Sequence, residues 1–159
     1  MLNEKLNKTL SIIFNVLLIL LSLFLPLIKV SSKVFIEYGS GLNLLTGIID
    51  TNTEELITNG ELLYWTFIFF PLASILFNLQ LTSKPMKQFM PIVMLVLEFI
   101  VLWTIPFKID SLFTETYRLT DPQSHVSFGF YILLVFIILE IIYYFICLVK
   151  MIKLEKEEN

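Results

Sequence analysis

Apolar residues fall in four long runs along the chain: Leu10–Ile28, Leu62–Leu79, Phe89–Phe107 and Val126–Val149. The first two contain no charged residue, the third contains Glu98 and the fourth contains Glu140. At about 1.5 Å of rise per residue each run approaches or exceeds the roughly 30 Å hydrocarbon core of a bilayer, so each predicts a transmembrane helix. Between them lie two longer polar segments, 31–61 and 108–125, and a short one, 80–88, whose length forces spans two and three into an antiparallel hairpin. The pattern predicts a single all-α integral membrane domain over residues 1–159, a four-helix transmembrane bundle with both termini on the cytoplasmic side.

The segment 31–61 has its own signals. Lys33–Tyr38 is rich in strand-forming residues and stops at Gly39-Ser40-Gly41; Leu42–Ile49 is a second strand or an amphipathic piece; Asn59-Gly60 marks a turn. A small extracellular β element over the bundle is expected. The segment Lys108–His125 mixes Ile109, Leu112, Phe113, Tyr117 and Leu119 with polar residues, and is expected either to lie along the bilayer surface or to pair with the first segment.

Charge orients the bundle. Lys5, Lys8, Lys84, Lys87, Lys150, Lys153 and Lys156 fall on the side of the termini, against Lys29, Lys33, Lys108 and Arg118 on the other, which places the termini inside. Tyr64, Trp65, Trp103, Phe107, Phe128 and Tyr131 gather at the proposed outer boundary, where amphipathic rings prefer to lie. The first run is too long for a signal peptide and its only small-residue site, Val30-Ser31-Ser32, is poor, so it is expected to remain as an uncleaved span.

Composition agrees: 57% of residues are hydrophobic and 16% charged, far from the balance of a water-soluble domain. One alanine and an abundance of Ile, Leu, Phe, Asn and Lys suggest an AT-rich bacterial source, hence the bacterial cytoplasmic membrane. A net charge of −3 excludes the basic surface that nucleic acid requires. The lone Cys147 excludes a disulfide or a thiol pair, and reads as an apolar filler or a palmitoylation site near the inner interface. His125 beside Asp121 has no second ligand at metal spacing, and no motif implies a cofactor or an enzyme.

The candidate chemistry lies at depth. Counted from Lys87 and Lys150, Glu98 and Glu140 lie about 16 Å and 15 Å from the inner edge, nearly one level. An ionisable group there is costly and asks for an explanation. If spans three and four face each other, the two carboxyls can meet, share a proton or trap a cation. Asn15 and Asn78 could extend them into a polar layer, and Tyr144, one turn from Glu140, could donate a hydrogen bond to it. Pro71 is expected to kink span two, Pro91 to sit in the first turn of span three, and Pro106 to mark its end.

The four-span plan with a strand-bearing first outer loop resembles claudins and other tetraspan proteins in arrangement. Ser31–Gly60, however, has no Trp and no Cys pair of the claudin kind, and the second loop has no Cys-Cys-Gly, so no sealing role carries over. Ser40-Gly41-Leu42-Asn43-Leu44-Leu45 and Ser127-Phe128-Gly129-Phe130-Tyr131 are similar to segments of small bacterial four-span proteins; that likeness implies topology and no activity. The expected role is a non-enzymatic multi-pass membrane protein acting through the bilayer and a protein partner or homo-oligomer. The alternative is a small proton- or cation-coupled transporter or ion-conducting oligomer using Glu98 and Glu140.

Overall fold

A computed structural model describes residues 2–80 and 84–157. The chain is mostly helical, with four helices long and apolar enough to cross a membrane, and it also carries two small sheets. The elements in order are α1 (Leu2–Phe24), β1 (Pro26–Ser31), β2 (Ile36–Ser40), α2 (Gly41–Thr46), β3 (Gly47–Ile49), β4 (Leu56–Asn59), α3 (Thr66–Gln80, entered through a 3-10 turn at Leu62–Trp65), α4 (Lys84–Lys108), α5 (Glu115–Arg118), β5 (Gln123–Val126) and α6 (Phe128–Glu157). In the bundle α3 packs against α1 and α4, while α6 packs against α4 and α1, closing a ring.

Each helix buries one narrow stripe and leaves the rest of its surface apolar. On α4, Leu95, Glu98, Leu102 and Ile105 are buried, whereas Val96, Ile100 and Trp103 face outward; on α6, Leu133, Ile137, Glu140 and Tyr144 are buried, whereas Val135, Leu139 and Phe145 face outward. Only 22–33% of each span is covered by protein. A continuous apolar exterior of this extent is tolerable in lipid and not in water.

The fold is less purely helical than the pattern of apolar runs implies. The first run was expected to span through Ile28, but α1 ends at Phe24 and β1 starts at Pro26. Proline biases the residue before it away from helical geometry and lacks the N–H that a further turn would need. The apolar residues that follow, Leu27, Ile28 and Val30, are buried because β1 is the middle strand of the sheet β2-β1-β5. Val126, expected to open span four, is likewise the last residue of β5 and pairs with Ile28.

The two long polar segments therefore meet in one structure. β1 pairs antiparallel with β2 and with β5, setting Lys29 opposite both Tyr38 and His125. The segment expected to end at Gly39-Ser40-Gly41 continues as strand through Gly39 and Ser40, and Leu42–Ile49 divides into α2 and β3. The division is written in a capping box: Ser40 N–H donates to Asn43 Oδ1 at 3.0 Å, and Asn43 N–H donates back to Ser40 Oγ at 3.5 Å. Of the two expectations for Lys108–His125, pairing with the first segment holds. Thr114 N–H donates to Ile57 O at 2.9 Å, Phe113 bridges to Thr58, and Tyr117 meets Phe35 edge to face at 5.2 Å. Ile109, Phe113 and Tyr117 are buried there, but Leu119 is 90% exposed.

The Tyr117 hydroxyl also donates to Asp50 Oδ2 at 3.1 Å and meets Thr53 Oγ1 at 3.0 Å. The Asn52 N–H, 2.8 Å from Asp50 Oδ1, holds that carboxyl below its usual range, with Tyr117 helping and burial opposing. The Tyr117 hydroxyl is pushed up: its bond with Thr53 works the other way, but burial and the Asp50 carboxylate outweigh it.

Two glycines let the layers meet. A Cβ on Gly41 would lie 2.2 Å from Ser22 O of α1, and one on Gly129 would lie 2.4 Å from Pro26 O of β1. At the other end of the bundle, α3 runs to Gln80 and α4 begins at Lys84, so Lys84–Gln88, expected as loop, is helical and residues 81–83 lie outside the described residues. Pro91 thus falls beyond the first turn of α4, and Pro106 lies inside the helix ahead of its end at Lys108.

Candidate functional site: an intramembrane polar layer

Helical spacing brings the buried polar groups together. Ser11, Asn15, Leu18 and Ser22 share one buried stripe of α1; Phe67, Pro71, Ser74 and Asn78 share that of α3. With Glu98 on α4 and Glu140 and Tyr144 on α6, every helix of the ring contributes a polar side chain to the interior.

These residues form two groups of different character. The first is a hydrogen-bonded network centred on Ser11, in which each member bonds to another and the Asn15 Oδ1 is left without a partner among the described residues. Ser11 Oγ lies 2.5 Å from Tyr144 Oη and accepts from Asn78 Nδ2 at 2.6 Å. Asn15 Nδ2 donates to Tyr144 Oη at 2.9 Å and to Ser11 O at 2.8 Å. Four side chains thus tie α1, α3 and α6 together, with buried Ser74 also beside the tyrosine ring's hydroxyl. Asn15, Asn78 and Tyr144 were legible in the sequence as candidates, but Ser11, the hub, was not. Its only signal is its position one turn before Asn15 on the same stripe.

The second group is Glu98 and Glu140, and it is not satisfied. Their side chains are 0% and 3% exposed, they lie within electrostatic range of one another, and none of their four carboxyl oxygens has a hydrogen-bond partner among the described residues. The expected hydrogen bond from Tyr144 to Glu140 does not form, because the tyrosine hydroxyl turns instead to Ser11 and Asn15. The carboxyl pair and the amide network therefore share a neighbourhood without merging.

Glu140 also borders a space. A cleft of about 170 Å³ between α1 and α6 is lined by Phe14, Phe136, Leu139, Glu140 and Tyr143. Phe14 meets Tyr143 edge to face at 5.3 Å and Phe136 at 6.4 Å, so three rings frame the opening. Cys147 is half-buried near Tyr143, and among the described residues no group of three or more His, Cys, Asp or Glu side chains could hold a metal ion. No family model, curated protein or solved structure matches the chain.

Proposed function

We propose that this chain is a non-enzymatic multi-pass protein of the bacterial cytoplasmic membrane, with the sheets on the outer face, whose Glu98–Glu140 pair binds a proton or cation within the bilayer. The observation that carries the reading is the set of unpartnered carboxyl oxygens at the centre of the bundle. A buried polar group left without a partner costs about 1–3 kcal/mol. If the acids served only to hold helices together they would be expected to bond to their neighbours, as Ser11, Asn15, Asn78 and Tyr144 do. Two buried acids without hydrogen-bond partners, within electrostatic range of one another, suit reversible uptake of a positive species.

A second reading, action through a protein partner, draws on the outer sheet. β2 is an edge strand, and Ile36 and Tyr38, with Val34 just before it, are exposed along it. An unpaired apolar edge is a template for an added strand. Proteoliposome flux assays separate the two. The first reading expects proton or monovalent-cation flux that Glu98→Gln and Glu140→Gln each abolish at unchanged expression. Absence of flux, together with a membrane partner whose co-purification is lost in Tyr38→Asp, would decide for the second.

A further inference from the structure

We infer that the cleft between α1 and α6 is a binding site for a lipophilic organic cation, an ammonium carrying an aryl or alkyl group, held by Glu140 and entering sideways from the acyl-chain region. The inference deepens the reading of Glu140 as a cation site and rests on it.

The argument starts from what surrounds the carboxyl. A proton needs no cavity, yet Glu140 lines one of about 170 Å³, and Phe14, Phe136, Leu139 and Tyr143 supply the rest of its wall. A hard inorganic cation is held by several oxygen ligands. This wall offers one carboxyl and one phenol among carbon surfaces; neither Glu140 oxygen has a hydrogen-bond partner among the described residues, while the Tyr143 hydroxyl lies beside the Cys147 thiol. Aromatic rings around an unpaired acid suit a cation whose charge is spread over methyl and methylene groups, since such a cation gives up little hydration and gains wherever it meets a ring face.

The route inward has the same chemistry. A second, more open apolar hollow of about 400 Å³ runs along α6 and is lined by Tyr131, Ile132, Val135, Phe136 and Leu139. It shares Phe136 and Leu139 with the cleft, so the two adjoin along α6 between the boundary residue Tyr131 and Glu140. An amphiphilic cation fits this layout with its tail on the hollow and its ammonium against Glu140. Glu98 of α4 lies within electrostatic range of Glu140, and the other titratable neighbours are Tyr143, Tyr144 and Cys147 of α6; α1 presents Ser11, Phe14 and Asn15, none of them ionisable in this range.

The test is equilibrium binding of radiolabelled benzyltrimethylammonium to the full chain in lipid nanodiscs, competed by the unlabelled salt and by neopentylbenzene, its uncharged carbon isostere. Saturable binding is expected that neopentylbenzene does not displace, that Glu140→Gln weakens by more than about tenfold, and that Phe136→Leu weakens by about three- to tenfold. Glu140→Asp, which keeps the charge should the glutamine variant fail to assemble, is expected to retain part of the affinity. Equal binding to Glu140→Gln, or displacement by the neutral isostere, overturns the inference. Absence of saturable binding alongside glutamate-dependent flux of protons or inorganic cations overturns the ligand class and leaves the broader reading standing.

Discussion

At the scale of single residues, the polar interior separates into groups that hold the bundle and groups that are free to act. Ser11 receives Asn78 and contacts Tyr144, so it couples three helices through one hydroxyl. A double-mutant cycle of Ser11→Ala and Tyr144→Phe, read by unfolding in detergent micelles, is expected to show a coupling of about 0.6 kcal/mol, the average for side-chain hydrogen bonds within membranes. Additive effects would mean that the two hydroxyls are not partners. In the sheet layer, the Asn52 N–H and the Tyr117 hydroxyl favour the charged form of Asp50. A carboxyl whose folded pKa is depressed stabilises the fold above its unfolded value and loses that contribution as pH falls through the folded one. Hydrogen-exchange protection at Asp50–Glu55, taken relative to the intrinsic rate at each pH, should therefore fall below about pH 4, and Tyr117→Phe, which removes a bond to the charged form, should make that loss smaller.

At the scale of elements, the contacts that set one segment against another are close backbone approaches. α6 begins where Ser127 N–H donates to Leu27 O at 2.9 Å, and Gly129 then passes so near Pro26 O that no side chain fits between them. Gly129→Ala should push α6 from β1 and destabilise the protein by about 1–3 kcal/mol, the usual cost of forcing atoms into a filled space. The same substitution at an outward position of the helix, Val135→Ala, should leave stability nearly unchanged, and thermal unfolding of both variants in one detergent makes the comparison. The Ser40 capping box works differently, stopping β2 and starting α2 within two residues by exchanging backbone bonds for side-chain ones.

At the scale of the whole molecule, the two long inter-helix segments lock the four helices at one end. β1 leaves α1, β5 leads into α6, and their pairing joins the first span to the last. In a chain lacking Cys147, the pair Lys29→Cys and His125→Cys, directly opposite in the register, should oxidise to a disulfide detectable by mass spectrometry. Lys29→Cys with Ser124→Cys, one residue out of register and on opposite faces of the sheet, should not. Efficient crosslinking of the second pair would show that the strands are aligned otherwise.

Four helical spans were readable in the residues themselves, because a backbone in hydrocarbon must satisfy its own hydrogen bonds and a long apolar run can do so only as a helix. The approach of the two acids was foreshadowed too: a constant rise per residue counted from the flanking lysines sets Glu98 and Glu140 at similar distances along neighbouring helices, and the two lie within electrostatic range. Tertiary structure alone decided where those runs end. Leu27, Ile28 and Val30 are as apolar as the helix before them, and only the arrival of β5, from nearly a hundred residues downstream, buries them as the centre of a sheet. It also decided that Tyr144 turns from Glu140 to Ser11, since which of two neighbours a hydroxyl bonds depends on how α1 is rotated and not on spacing along α6. The cleft that Glu140 lines belongs to the same category, for an empty space between two helices is a property of their packing and leaves no mark on either sequence.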